Sequence, residues 1–155
     1  MRINSPPIKP KLIRPCRAQN VTLSVYYETL CPYCADFVAN HLVKLFEKRF
    51  FSIVNLRLVP WGNAVLQTDG IFVSQLENQY AAETARLNPQ HKFVPWVLVN
   101  DQPLQEDFKN FVTYVCNAYK GKQVPQACHS LPLMNNSSKK ATSGYPVCYA
   151  NSRKN

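Results

Sequence analysis

VTLSVYYETLCPYCADFVANHLVKLFEKR, residues 21–49, is the stretch on which the fold turns. Val21, Leu23, Val25 and Tyr27 alternate with Thr22, Ser24 and Tyr26. That is the two-residue period of a strand rich in β-branched and aromatic side chains. Thr29-Leu30-Cys31-Pro32-Tyr33-Cys34 follows, and Pro32 suits the first turn of a helix, where its missing N–H would have no partner anyway. Phe37, Val38, His41, Leu42, Leu45 and Phe46 then recur at helical spacing, which predicts a helix from about Pro32 to Arg49. Two cysteines two residues apart therefore fall where a strand hands over to a helix.

Placement gives that pair its chemistry. The free N–H groups and macrodipole of a helix N-terminus stabilise an anion. A first cysteine there is favoured as a thiolate, with a pKa that can fall from about 8.5 to roughly 3.5–7.5 in such motifs. The second lies one turn deeper, placed to attack a mixed disulfide formed at the first. The alternatives are a static disulfide and half of a zinc site. Structural zinc takes four ligands, usually in closely spaced pairs. The chain has no second C-x-x-C, and Cys116, Cys128 and His129 are scattered. The sequence thus points to a redox pair and to no metal or cofactor.

Further along, Ile53–Val59 reads as a strand and Phe72–Leu87 as a helix, with Phe72, Leu76, Tyr80 and Ala81 on one side and Asn88-Pro89 as its stop. Phe93–Val99 is a strand with Pro95 near its start, Asn100-Asp101 a turn and Gln102–Leu104 a short antiparallel return. Glu106–Lys120 is a helix with Gly121 placed to end it. Strand, helix, strand, helix, strand, strand, helix makes an α/β layer with a mixed sheet. Pro95 cannot donate to a sheet ladder. It is expected to follow a cis peptide and face the cysteines, as in the thioredoxin-fold arrangement; the alternative is a trans proline on an edge strand.

Composition excludes other classes. The chain has 155 residues, about one domain, with 46% hydrophobic and 17% charged residues. No apolar run is long enough to span a membrane. The net charge of +9 suggests nucleic acid, but its distribution argues otherwise. Residues 21–128 hold nine basic and nine acidic side chains, so the excess lies in two tails, residues 1–20 and 129–155. A nucleic-acid module carries its basic patch on the fold. The expected organisation is a basic N-terminal tail over 1–20, a thioredoxin-like domain over 21–128 and a Ser/Asn/Lys-rich tail over 129–155. Both tails are expected to be poorly ordered except where a cysteine pins them, and the first lacks the apolar core of an intact secretory signal.

The stretches YYETLCPYCADFVANHLVKLFE, LVPWGNA and QYAAETARLNPQHKFVPWVLVNDQPL, continued by FVTYVCNAYKGKQVPQAC and a final PVCY, resemble the gamma-interferon-inducible lysosomal thiol reductase family, its plant-type members most. The resemblance covers most of residues 21–128. It implies reduction of disulfides in protein substrates, with a small-thiol or protein reductant as second partner, in a lysosomal or secretory compartment. Carried over by residue, Cys31 is the attacking thiolate, Cys34 the resolving thiol and Pro95 the cis-proline. One departure stands out. Members of the family carry a Cys-Gln-His-Gly motif, another cysteine and a long helical insertion, whereas here LQTDGIFV runs straight into SQLENQYAAET. A shortened chain is expected to reduce disulfides poorly at pH 5. Its site neighbours Glu28 and Asp36, if close, oppose ionisation of Cys31.

Two other functional readings stand beside this one. A glutaredoxin-like, glutathione-dependent reductase also fits Cys-Pro-Tyr-Cys, but the Gly-Gly step that seats glutathione is replaced by Val99-Asn100-Asp101-Gln102. A shortened, impaired variant that only binds thiol partners is the third. Four cysteines remain, Cys16, Cys116, Cys128 and Cys148, and they allow three pairings. Cys116 with Cys128 is the nearest in sequence, Cys148 competes for Cys128, and Cys16 is expected to stay free. Asn20-Val21-Thr22, Asn135-Asn136-Ser137 and Asn136-Ser137-Ser138 are glycosylation triplets that point to the secretory route. His41 is expected in the core, His91, just before the Pro95 strand, outside the site with reach to the cysteines as the lesser alternative, His129 inert, and Trp61 and Trp96 at core or rim.

Overall fold

The computed structural model describes residues 20–47, 49–63, 75–131 and 145–150. Its main sheet has four strands in the order β2-β1-β4-β5: β1 is Val21–Tyr26, β2 Val54–Val59, β4 Trp96–Val99 and β5 Gln102–Pro103. β1 runs parallel to β2 and antiparallel to β4, and β4 is antiparallel to β5. Together with the helices, this is the expected α/β architecture with a mixed sheet. The parallel pair puts Val21, Leu23 and Val25 opposite Val54, Leu56 and Leu58. β1 is the central strand and is buried along nearly its whole length. A second, two-stranded antiparallel sheet joins β3, Phe93–Val94, to β6, Cys148–Tyr149.

The helix expected over Pro32–Arg49 is broken into three. α1, Pro32–Asp36, passes into a π-helical turn over Phe37–Leu42 and then into α2, Lys44–Glu47. A π-turn carries more residues per turn than an α-helix and bonds i to i+5. It therefore turns Phe37 and Leu42, five apart, onto one buried side with Leu45. Val38 and Phe46, expected on the apolar face, are exposed instead. Arg49 adopts a left-handed conformation, with φ of 57°, and closes the segment.

α3, Gln75–Ala85, lies within the expected second helix; Phe72 falls outside the described residues. Of its expected face, Tyr80 packs against the core and Ala81 is half-buried, whereas Leu76 is exposed; Thr84 is the fully buried residue. The helix is fixed through Glu83, which accepts hydrogen bonds from the Tyr26 hydroxyl at 2.7 Å and from Arg57 Nη2 at 2.9 and 3.0 Å. Glu83 thereby ties α3 to both β1 and β2. The β4–β5 turn is made by Asn100 and Asp101, with φ of 47° and 63°, the twist favoured in tight hairpins. Asn100 also exchanges hydrogen bonds with the Thr22 backbone.

The last helix likewise starts differently. Gln105–Asn110 is a 3₁₀ turn interrupted at Asp107, followed by α4, Phe111–Ala118. The helix ends at Tyr119, which is extended, two residues before Gly121. The Cys116–Cys128 disulfide binds α4 to the short helix α5, Gln126–His129, so the chain must reverse there. Phe37, Phe108 and Phe111 meet edge to face at the centre of the core, and Phe93 packs against Trp96 in the same manner.

Candidate active site

The chain leaves β1 through Tyr27 and Glu28, and Cys31 becomes the residue that caps α1, with extended backbone angles. Pro32 occupies the first helical position as expected. The Cys31 carbonyl accepts hydrogen bonds from the backbone N–H groups of Cys34 and Ala35 at 3.1 and 3.2 Å, the ordinary opening turn of a helix. This leaves the Cys31 sulfur above the helix start, where the dipole favours negative charge. Leu30 and Tyr33, either side of it, are exposed and give the site an apolar rim.

The second wall is the strand that carries Pro95. The Val94–Pro95 peptide is cis, and the Val94 carbonyl oxygen lies 3.9 Å from Cys31 Sγ. Cys31, Cys34 and Val94 form a small buried cluster with Tyr27 and Cys148 packed against it. Gly62 completes the wall. Its φ is +49°, and a Cβ there would stand 2.9 Å from both the Tyr27 carbonyl oxygen and Val94 Cγ1. Only glycine accepts that backbone angle and that closeness together.

The cysteine partners are not those the motif suggests. Cys31 is disulfide-bonded to Cys148, with Cα atoms 6.2 Å apart, and Cys34 is a free thiol. The expectation that Cys148 competes for Cys128 is therefore corrected: Cys128 is held by Cys116, and β6 delivers Cys148 to the redox motif. Cys31 is 2% exposed, with Cys148 of β6 packed against it. Cys34 is 1% exposed, and burial pushes its thiol up to about 12.

Asn63 holds this arrangement from the side. It is 9% exposed, its Nδ2 donates to the Cys148 carbonyl at 3.0 Å, and its Oδ1 has no hydrogen-bond partner among the described residues. Nothing in the spacing of residues links position 63 or 148 to position 31; the only signal was their presence in the quoted WGNA and PVCY stretches.

The other candidates fall elsewhere. His41 stacks on Phe37 and stands between Asp36 and Lys44, which makes it a packed residue of the first helix, as expected. His91 is half-buried, and burial lowers its pKa. The nearby Gly62 backbone favours the charged form but makes no well-formed hydrogen bond to the ring. Among the described residues, no hydrogen bond joins His91 to either motif cysteine. Asp36 accepts from Asn40 at 2.8 Å and pairs with Lys109 and His41; the Asn40 hydrogen bond first, then the two cations, hold its carboxyl below the usual range. Trp96 is core and Trp61 half-buried at its edge. Cys16, the triplets at Asn135 and Asn136 and the Val73–Ser74 junction lie outside the described residues. Among the described residues no group of three or more His, Cys, Asp or Glu could hold a metal ion, and no helix is long and apolar enough to cross a membrane.

A cysteine at the start of a helix, facing a cis-proline loop and already engaged in a disulfide, defines an α/β protein built around thiol chemistry. Comparison with known proteins makes this specific. The model of the gamma interferon inducible lysosomal thiol reductase family matches residues 22–130, and the chain belongs to that family. It is 26% identical over 206 positions to the gamma-interferon-responsive lysosomal thiol protein of Arabidopsis thaliana, covering 90% of this chain and 88% of that one. It is 38% identical over 200 positions to the gamma-interferon-inducible lysosomal thiol reductase of Mus musculus, covering 83% and 76%. Alignments of 206 and 200 positions against a chain of 155 residues require stretches of both relatives to face gaps. The mouse relative is named a thiol reductase, an oxidoreductase class, and the Arabidopsis relative a thiol protein.

Proposed function

We propose that this chain is a thiol–disulfide oxidoreductase that reduces disulfide bonds in protein substrates through Cys31 and Cys34, beside Pro95. The observation that carries this reading is the position of Cys31, at the cap of α1 and 3.9 Å from the carbonyl that precedes Pro95. Once Cys31 is reduced, its thiolate attacks one sulfur of the substrate disulfide. A Cys31–substrate bond forms and the first substrate sulfur leaves as a thiolate. Cys34 then attacks Cys31 Sγ and gives its proton to that thiolate or to water. The second substrate sulfur leaves, and Cys31–Cys34 is left oxidised. A small thiol or a protein dithiol returns both cysteines to the reduced state and is itself oxidised. Burial raises the Cys34 thiol pKa to about 12, which opposes its ionisation for the resolving step.

The compartment we infer is lysosomal or secretory, which the printed names of the relatives support. Asn20, exposed at the foot of β1, is the described glycosylation candidate. The test is trapping on the reduced chain. Cys34→Ser is expected to accumulate a mixed disulfide with a disulfide-bonded substrate, and Cys31→Ser to accumulate none. Trapping by Cys31→Ser, through Cys34, would overturn the assignment.

A further inference from the structure

The disulfide of Cys148 is one of several contacts by which residues 147–150 fill the site. β6 pairs antiparallel with β3, putting Cys148 opposite Val94 and Tyr149 opposite Phe93. The Ala150 N–H donates to the Lys92 carbonyl at 3.1 Å. Asn63 Nδ2 binds the Cys148 carbonyl, and the Tyr149 ring meets Phe93 edge to face at 6.3 Å. The backbone of an extended segment is thus read by a strand edge and a buried amide, while its cysteine reaches Cys31. Backbone pairing of this type takes any extended peptide and leaves selectivity to the side chains. The Oδ1 of Asn63, without a hydrogen-bond partner among the described residues, is a second polar atom in the same wall, able to accept from a backbone N–H.

We propose that Val147–Ala150 is an internal pseudosubstrate: it occupies the place where β3, Asn63 and Cys31 receive an extended, cysteine-bearing segment of a protein substrate, ideally with an aromatic residue after the cysteine. This rests on the reductase reading and specifies its substrate class. It also assigns Cys148 a redox role. The oxidised chain rests as Cys31–Cys148 with Cys34 a free thiol; it is reached from the Cys31–Cys34 product when the Cys148 thiolate attacks Cys31 Sγ, the Cys31–Cys34 bond breaks, and Cys34 leaves and takes up a proton. A small thiol attacks Cys148 Sγ, the more accessible sulfur because Cys148 is half-buried and Cys31 is not. The Cys31–Cys148 bond breaks, Cys31 leaves as a thiolate, and a mixed disulfide forms on Cys148. A second small thiol attacks that mixed disulfide, giving the small-molecule disulfide and free Cys148. β6 is then held only by non-covalent contacts and can yield to a substrate.

Two measurements test this. The first maps disulfides in the native, oxidised full chain by non-reducing digestion and mass spectrometry, after iodoacetamide treatment. The expected product is a Cys31–Cys148 cross-link with Cys34 alkylated only after denaturation. A dominant Cys31–Cys34 cross-link with Cys148 alkylated in the native chain would overturn the capped state, whatever the activity. The second uses reduced Cys148→Ser chain and the peptide Tyr-Pro-Val-Cys-Tyr-Ala, its cysteine carrying a small-thiol mixed disulfide. A peptide of the same composition with proline placed directly after the cysteine cannot make the strand pairing. The first peptide is expected to react about tenfold faster, and Asn63→Ala to remove much of that preference. Equal rates would overturn the docking of extended segments while leaving the reductase reading intact. Failure of both peptides, in a chain whose Cys31 still reacts with a small aromatic disulfide, would overturn the reductase reading together with the docking.

Discussion

Gly62 shows how much a single residue contributes at this site. It belongs to no strand or helix. Even so, its positive φ and the absence of a Cβ let Tyr27 and Val94 close around it. Gly62→Ala forces a side chain into a left-handed backbone angle and into two contacts of 2.9 Å. The expected cost is on the order of 1–3 kcal/mol. It should appear in urea unfolding together with a displaced Val94, which a changed rate of Cys31 alkylation in the reduced chain reports. An unchanged midpoint and an unchanged rate would show that the wall is softer than its spacing implies. The two motif cysteines were legible in the sequence because a helix start has a definite chemistry. Cys148 was not, because a disulfide across 117 residues leaves no periodic trace. Gly62 and Asn63 lay in a quoted motif, but only the folded chain shows which walls they touch.

Among the elements, α3 is held by polar contacts to the sheet as well as by Tyr80, which packs against the core. Glu83 links it to Tyr26 on β1 and to Arg57 on β2. The Tyr26 bond is the better shielded, and desolvation with the Glu83 contact raises the Tyr26 hydroxyl pKa well above its usual value. A hydrogen bond to a charged group there contributes about 1.5–3 kcal/mol. The Arg57 pair is partly exposed and contributes less than about 1 kcal/mol. Tyr26→Phe should therefore destabilise the chain more than Arg57→Ala in matched denaturant titrations; the reverse order would mean that the ion pair is the true anchor. Apolar spacing pointed to Leu76 and Tyr80; Tyr80 does pack on the core and Leu76 does not, while the Glu83 contacts, whose partners lie on two other elements, left no trace in the spacing. The break in the first helix was hidden for a related reason. A π-turn gathers residues five apart, and periodicity counts threes and fours.

For the molecule as a whole, the histidines set the response to acid. Burial lowers the pKa of His41, helped by Lys109 and Lys44 and opposed by Asp36; burial also lowers that of His91. An unfolded histidine titrates near 6.5. Below that value the unfolded chain binds more protons than the folded one, so stability is fully present above about pH 6.5 and falls as pH drops towards the folded values. Asp36 does not offset this between pH 7 and 5. Its lowered pKa gives stability that is lost only at still lower pH. The melting temperature of the oxidised chain should therefore be flat from pH 8 to 7 and decline from 6.5 to 5, and His91→Gln should flatten part of the decline. A curve with no step between 6.5 and 5 would sink this account.

The two disulfides also fix how the chain is wired. Cys31–Cys148 closes a covalent ring that contains most of the described fold apart from β1, and Cys116–Cys128 is a smaller ring nested inside it. A protease that cuts once anywhere between residues 31 and 148 leaves a single molecule whose mass is raised only by the water of hydrolysis. A cut between 116 and 128 is bridged twice. On a non-reducing gel the nicked and intact chains should migrate nearly together, and they should separate into two fragments once thiol is added.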